Sequence, residues 1–295
     1  MSGTKKSFQI TVNAVLMLLA LFCLLPFILL VVSSFTDELT LTKYGYSFIP
    51  KKLSLEAYKY LLFDTTNMIR GYIISAAVTV VGTTANVFIS VLFAYPLSRR
   101  DLPHKNIFAF FLFFTMLFSG GFVPSYIMWS QVFHIKNTWL AYIIPGLMMN
   151  AFNVIMIRTY FTSSIPEEVL EAARMDGAGE WQILRRVVMP MSVPITATVT
   201  LLVGLSYWND WINGLYYINT DTKYSIQVLL NQMLMDAQFL ISNTQGGAAL
   251  NQDIILPSNG IKMAVAVMGI LPVLIIYPFF QKYFVKGIVI GAVKG

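Results

Sequence analysis

Apolar residues in this chain do not alternate with polar ones; they come in long blocks. Six blocks run from Thr11 to Val32, Gly71 to Leu97, Ile107 to Trp129, Trp139 to Ile157, Ser192 to Trp208 and Met263 to Phe280, and none contains Asp, Glu, Lys or Arg. A bilayer core takes about 20 consecutive apolar residues as a helix. The pattern therefore predicts an all-α integral membrane protein with six transmembrane helices at approximately 11–32, 71–97, 107–129, 139–157, 192–208 and 263–280. The first block follows Lys5 and Lys6 as a signal peptide would, but it is longer than a typical signal core, and no small-residue cleavage site follows Pro26. It is read as a helix. With no internal repeat, low-complexity tract or linker, residues 1–295 read as one membrane domain.

Two intervals between blocks have periodicity of their own. In "SIQVLLNQMLMDAQFLI", Ile226, Leu229, Leu230, Met233, Leu234, Ala237, Leu240 and Ile241 recur at helical spacing, predicting an amphipathic helix packed over its own bundle. The other is "EAARMDGAGEWQILRRVVMP", residues 171–190, a charged island in an apolar chain. Just before it, Ser164 and Glu167 have capping-box spacing with Pro166 between them, predicting a helix to about Met175. Gly177 suits a left-handed helix end. A second helix over Glu180 to Val188, with Trp181, Leu184 and Val188 on one face, is expected to stop at Pro190. Such a helix, turn, helix segment over 164–190 fits an interfacial connector resting on lipid headgroups, and equally a lever inserted into another protein.

Composition supports the membrane assignment: 57% of the 295 residues are hydrophobic and 12% charged, against about 25% charged in soluble domains. The net charge of +6 matters mainly through its placement. With the N-terminus inside, twelve of the twenty basic residues become cytoplasmic, among them Arg99, Arg100, Arg158, Arg185 and Arg186; the other eight fall outside, mostly in the long first loop. Both termini are thus expected in the cytoplasm. Cys23 is the single cysteine, and His104 and His134 lie on opposite sides, so no metal site is expected. No Gly-Lys pair occurs, so the chain has no phosphate-binding loop and no ATPase site of its own.

Polar residues at the block ends are the candidates for cargo chemistry. Tyr207 and Trp208 close the fifth block, Asn209, Asp210 and Trp211 follow it directly, and Asn150 and Asn153 lie within the fourth. Aromatic faces with a few amides and carboxylates suit sugar rings. Interfacial aromatic belts and helix-bridging asparagines look the same in sequence.

The island resembles the EAA loop of ABC importer membrane subunits: Glu171, Ala172, Ala173, Gly177 and Pro190 stand in place, with Val187 and Met189 where Ile and Leu are usual. "QKYFVKGIVIGAVKG", residues 281–295, resembles the C-terminal tail of the smaller permease subunit of maltose-type importers. "SYWNDW" (206–211) and "GGFVPSY" (120–126) resemble the branch of that family associated with complex oligosaccharides.

The resemblance implies a type I permease fold and a multi-pass subunit of a prokaryotic cell membrane. It implies a second, different permease, two ATPase subunits that hold ATP and magnesium, and an extracytoplasmic substrate-binding protein; the surroundings are the lipid bilayer, with no nucleic acid. It assigns ATPase coupling to Glu171, Ala172, Ala173, Arg174, Asp176, Gly177 and Pro190, and a tail contact with the ATPases to Lys286, Gly287, Lys294 and Gly295. The alternative is a secondary transporter driven by an ion gradient, which would usually place ionisable relays inside the membrane. The six blocks have none.

Overall fold

The computed structural model describes residues 3–63, 67–245 and 258–292, with side chains of the last helix described as far as Gln281. Among the described residues the regular structure is helical. In chain order it comprises α1 (Gly3–Ser34), α2 (Glu38–Tyr44), α3 (Glu56–Phe63), α4 (Asn67–Ser98), α5 (Lys105–Leu117), α6 (Phe122–Ile127), α7 (Leu140–Ile143), α8 (Ala151–Ser164), α9 (Glu167–Met175), α10 (Glu180–Ile183), α11 (Met189–Met191), α12 (Val193–Trp208), α13 (Ile212–Tyr217), α14 (Ile226–Gln245) and α15 (Ser258–Ala292).

Phe8–Ser34, Met68–Ser98 and Asn259–Gln281 are each long and apolar enough to cross a membrane unbroken. Two further stretches qualify only as bent pairs: α5 with Phe122–Val132, at 111°, and Glu180–Met191 with α12, at 83°. The predicted helix over 107–129 is therefore broken after Leu117. Gly121 takes φ +84°, a conformation that residues with a Cβ avoid, and Pro124 lies in the next helix's first turn. The predicted helix over 139–157 is also two pieces, because Pro145 and Gly146 (φ +71°) separate α7 from α8.

The chain forms two compact units. In the unit of residues 1–69 and 230–272, Ser34 shares a hydrogen bond with Tyr58 (2.7 Å), whose ring stacks on Phe35. The buried Glu38 carboxylate accepts hydrogen bonds from the Asn259 and Gly260 N–H groups at 3.0 and 2.8 Å. It thus satisfies two of the four donors that a helix start leaves open. None of α1's most apolar stretch is buried within the chain. A helix apolar on every side needs lipid or a partner.

In the unit of residues 70–229 and 273–295, the core gathers Ile74, Val78 and Ala94 of α4, Val154 and Ile157 of α8, and Val199 and Val203 of α12. The α7–α8 break frees backbone carbonyls, which lipid cannot satisfy. Side chains from other elements satisfy three of them: the Tyr207 hydroxyl donates to Ile143 O (2.8 Å), the Asn213 amide to Pro145 O (3.0 Å), and the Asn86 amide to Leu147 O. Helix α14 forms where the periodicity predicts. Its Ile226 N–H donates to Ser75 (2.9 Å), and its buried first turn includes Val228 as well as Ile226 and Leu229.

Candidate coupling site

The charged island folds into an elbow. Its first arm, α9, begins with Pro166 at the N-cap and no side-chain cap, so the Ser164–Glu167 capping box does not form. Ser164 is still the last residue of α8, and Pro166 forces Ile165 into extended backbone (φ −104°, ψ 114°). The new helix can start only after the proline. Glu167 instead pairs with Arg100 at 2.9 Å.

The bend of the elbow is as the sequence predicts. Gly177 has φ +78°, its N–H donates to Arg174 O (2.9 Å), and the Ala178 N–H donates to Ala173 O (3.0 Å). These two bonds close a Schellman motif and satisfy carbonyls that α9 leaves open. A Cβ on Gly177 would meet nothing within 4 Å. The requirement there is purely conformational.

The second arm differs from expectation in two ways. It does not end at Pro190: α10 passes through a wider turn over Leu184–Val188 into α11, and the break comes at Ser192. A π-type turn just before a proline relieves its ring's clash with the preceding turn, so the helix survives. Leu184 and Val188 are buried together with Ile183, whereas Trp181, before the wide turn, is 57% exposed.

Ion pairs join the bend to the end of α4. Arg174 lies 2.8 Å from Glu180 and 3.1 Å from Asp101. The other Glu180 oxygen accepts the Tyr95 hydroxyl, and Arg158 donates to Leu97 O at 3.1 Å. Arg174 is thus engaged within its own chain. Glu171, Ala172 and Asp176 are exposed, as is Met175 at 88%. Met175 carried a legible signal that the sequence reading did not use, a large apolar residue between Arg174 and Asp176 at a helix end. Tyr95, Arg100 and Asp101 carry no local signal because their partners on the elbow, Glu180, Glu167 and Arg174, lie 85, 67 and 73 residues further along the chain.

The Tyr95 hydrogen bond, with help from Arg174, holds the Glu180 carboxyl below its ordinary value of 4.5. A depressed carboxylate stabilises the fold above its unfolded pKa and loses that contribution as pH falls through the folded value. The joint is therefore expected to stay closed at neutral and mildly acidic pH and to open only below 4.5. Trp181 fluorescence followed through an acid titration checks this, and Tyr95→Phe should move the opening to higher pH. An unchanged midpoint in that variant would show that the hydroxyl does not hold Glu180.

The proposed cargo residues engage several different partners. Tyr207 is buried and bonded to Ile143 O, and the Trp208 ring lies 6.2 Å from that of Tyr72. Asn209 is exposed and donates back to Leu205 O; Asp210 accepts the Asn213 N–H at 3.2 Å, and burial pushes its carboxyl above the ordinary value. Trp211 is 40% exposed. Asn150 caps α8 by accepting the Phe152 N–H at 2.8 Å, and Asn153 is buried on that helix. No hydrogen bond among the described residues joins these two asparagines to the Tyr207–Trp211 group. Lys286 and Gly287 lie on α15, which continues unbroken through the predicted tail to Ala292, while Lys294 and Gly295 lie outside the described residues.

Apolar helices long enough to span a membrane, interrupted by one charged elbow, define a helical membrane protein. The sequence pattern described as binding-protein-dependent transport system inner membrane component matches residues 87–290, well over half the chain. The polygalacturonan/rhamnogalacturonan transport system permease protein YtcP of Bacillus subtilis is 37% identical over 98% of both chains. Protein LplC of the same organism is 37% identical over 92% of this chain and 90% of its own. A chain from the crystal structure of a bacterial ABC transporter involved in the import of the acidic polysaccharide alginate superposes with a TM-score of 0.79. It is 30% identical, over 96% of this chain and 99% of that one. The chain belongs to the family of inner membrane components of binding-protein-dependent transport systems, and is a permease subunit of an ABC importer. The ion-gradient alternative finds no support among these relatives.

Proposed function

We propose that this permease forms half of the translocation pathway for an oligosaccharide delivered by an extracytoplasmic binding protein, with a second, different permease as the other half. The observation that carries the carbohydrate reading is the end-to-end similarity to YtcP and to the alginate-importer chain. In this reading the chain crosses the membrane six times, the middle crossings made by broken helices, with both termini in the cytoplasm. The elbow over 164–190 docks into one of two ATPase subunits, which hold ATP and magnesium and perform the hydrolysis. Glu171, Ala172, Met175 and Asp176 form the docking tip; Gly177 sets the angle, and Arg174 passes displacement through Glu180, Asp101 and Tyr95 into α4. Pro190 lies beyond the wide turn, where the second arm leads into α12. The tail residues Lys286, Gly287, Lys294 and Gly295 reach toward the ATPases.

Tyr207 to Trp211, with Asn150 and Asn153, stand near the pathway; the carbonyl bonds of Tyr207 and the capping bond of Asn150 hold its wall. The test is uptake by the complete complex in vesicles, comparing oligogalacturonides, alginate oligomers and neutral maltooligosaccharides. ATP-dependent accumulation of at least one is expected, abolished by a non-hydrolysable nucleotide. If none accumulates while amino acids or peptides do, the carbohydrate reading is wrong.

A further inference from the structure

The cations around the elbow fall into two groups. Arg99 stands 3.8 Å from Asp101, Arg100 pairs with Glu167, Arg174 pairs with Asp101 and Glu180, and Arg158 is bonded to a backbone carbonyl. Arg185 and Arg186 are exposed and, among the described residues, make no ion pair. Of the two, Arg185 borders a groove, and a guanidinium with no carboxylate partner there is available to an anion.

Arg185 also lines a groove of about 430 Å³ between α4 and the second arm of the elbow. The walls are mainly apolar, with Val87, Phe88, Val91 and Leu92 on one side and Trp181 and Leu184 on the other. Past Met189 and Thr200 it continues into a second hollow of about 440 Å³, against Val193, Ala197 and Phe279. Because Tyr95 holds Glu180, the arm meets α4 just beyond Leu92. Trp181 and Arg185, one turn apart, stand at that charged end of the trough.

The chemistry of the walls restricts the occupant. The hydroxyls of Thr84 and Thr200 are already donated to Val80 O and Thr196 O within their own helices. A peptide laid in the trough would bring backbone N–H and C=O groups to walls with few partners for them, at a cost of kcal/mol for each left unsatisfied. A hydrocarbon chain makes no such demand. Tryptophan and arginine together at the interface end suit a phosphate headgroup above an acyl chain, since basic pockets beside membrane helices attract anionic lipid.

We propose that the trough between α4 and the elbow is a binding site for an anionic phospholipid, with an acyl chain along Phe88 and Leu92 and the phosphate held by Arg185. A lipid so placed touches both the elbow and the helix that receives its motion. The site does not depend on which cargo the importer carries.

The complete transport complex, stripped of native lipid and re-equilibrated with mixed phosphatidylglycerol and phosphatidylcholine, tests the proposal by mass spectrometry of the retained lipid. The wild type should retain phosphatidylglycerol preferentially. Arg185→Gln should lower that retention by about fivefold, the scale expected for one basic residue near an anionic surface, whereas Arg186→Gln, whose side chain does not line the groove, should leave it nearly unchanged. Thr84→Trp, which fills the exposed wall, should displace the lipid while the subunits stay associated. Glycerol phosphate without acyl chains should not compete; if it does, the site holds free phosphate. Equal retention of both lipids, or retention unaffected by Thr84→Trp, would overturn the site. Loss of the ATPase subunits from the Arg185→Gln variant would also overturn it, assigning that cation to a protein contact.

Discussion

Gly177→Val is expected to leave the subunit inserted and assembled but to reduce ATP-driven uptake by about tenfold. At φ +78° a side chain with a Cβ is strained by about 1–2 kcal/mol, more for a β-branched one. Nothing near that position would clash. The elbow therefore relieves the strain by changing its angle rather than by unfolding, and the exposed tip is carried away from its seat. Asparagine adopts left-handed backbone more readily than other residues, so Gly177→Asn should keep most of the uptake. Uptake and ATPase rates measured side by side in reconstituted vesicles decide the matter. If valine couples as well as glycine, the angle is not what transmits motion.

Gly82→Ala should have the largest effect on stability. The added Cβ would lie 2.5 Å from the Cε1 and Cζ atoms of Tyr207. That ring cannot easily retreat, because it is 3% exposed and its hydroxyl is bonded to Ile143 O. Overpacking of this kind costs about 1–3 kcal/mol, and loss of the hydroxyl's bond would leave a carbonyl of the α7–α8 break without its partner. Thermal unfolding in detergent should shift down by several degrees, and pairing the change with Tyr207→Val should recover part of the loss. Equal melting of Gly82→Ala and wild type would show that α4 and α12 do not approach so closely.

The two variants mark the limit of what could be read in advance. Gly177 was legible because a left-handed helix end is a local property: a glycine after a helical run, before a second run, has few other uses. Gly82 was not legible, since what makes it necessary is a ring 125 positions away. The same division runs through the candidate site. Glu171, Ala172 and Gly177 stand out by their match to the EAA loop, whereas Tyr95 and Asp101, which join the elbow to α4, carry no local signal. Tyr207 and Asn150 stand out in sequence as candidates for cargo contact. Yet the bonds they make are to the backbone of their own chain, which only a broken helix at Pro145 and Gly146 could have foretold.

Apolar block length and charge placement depend on neighbours in sequence and on the bilayer, so they alone sufficed to predict a helical membrane protein interrupted by a charged helix, turn, helix segment. Where the blocks break, which arginine finds a carboxylate and which side chain answers a freed carbonyl depend on contacts between distant segments. Those contacts exist only once the helices have packed, because a buried polar group is satisfied by whatever the fold brings to it and not by its neighbours in the chain.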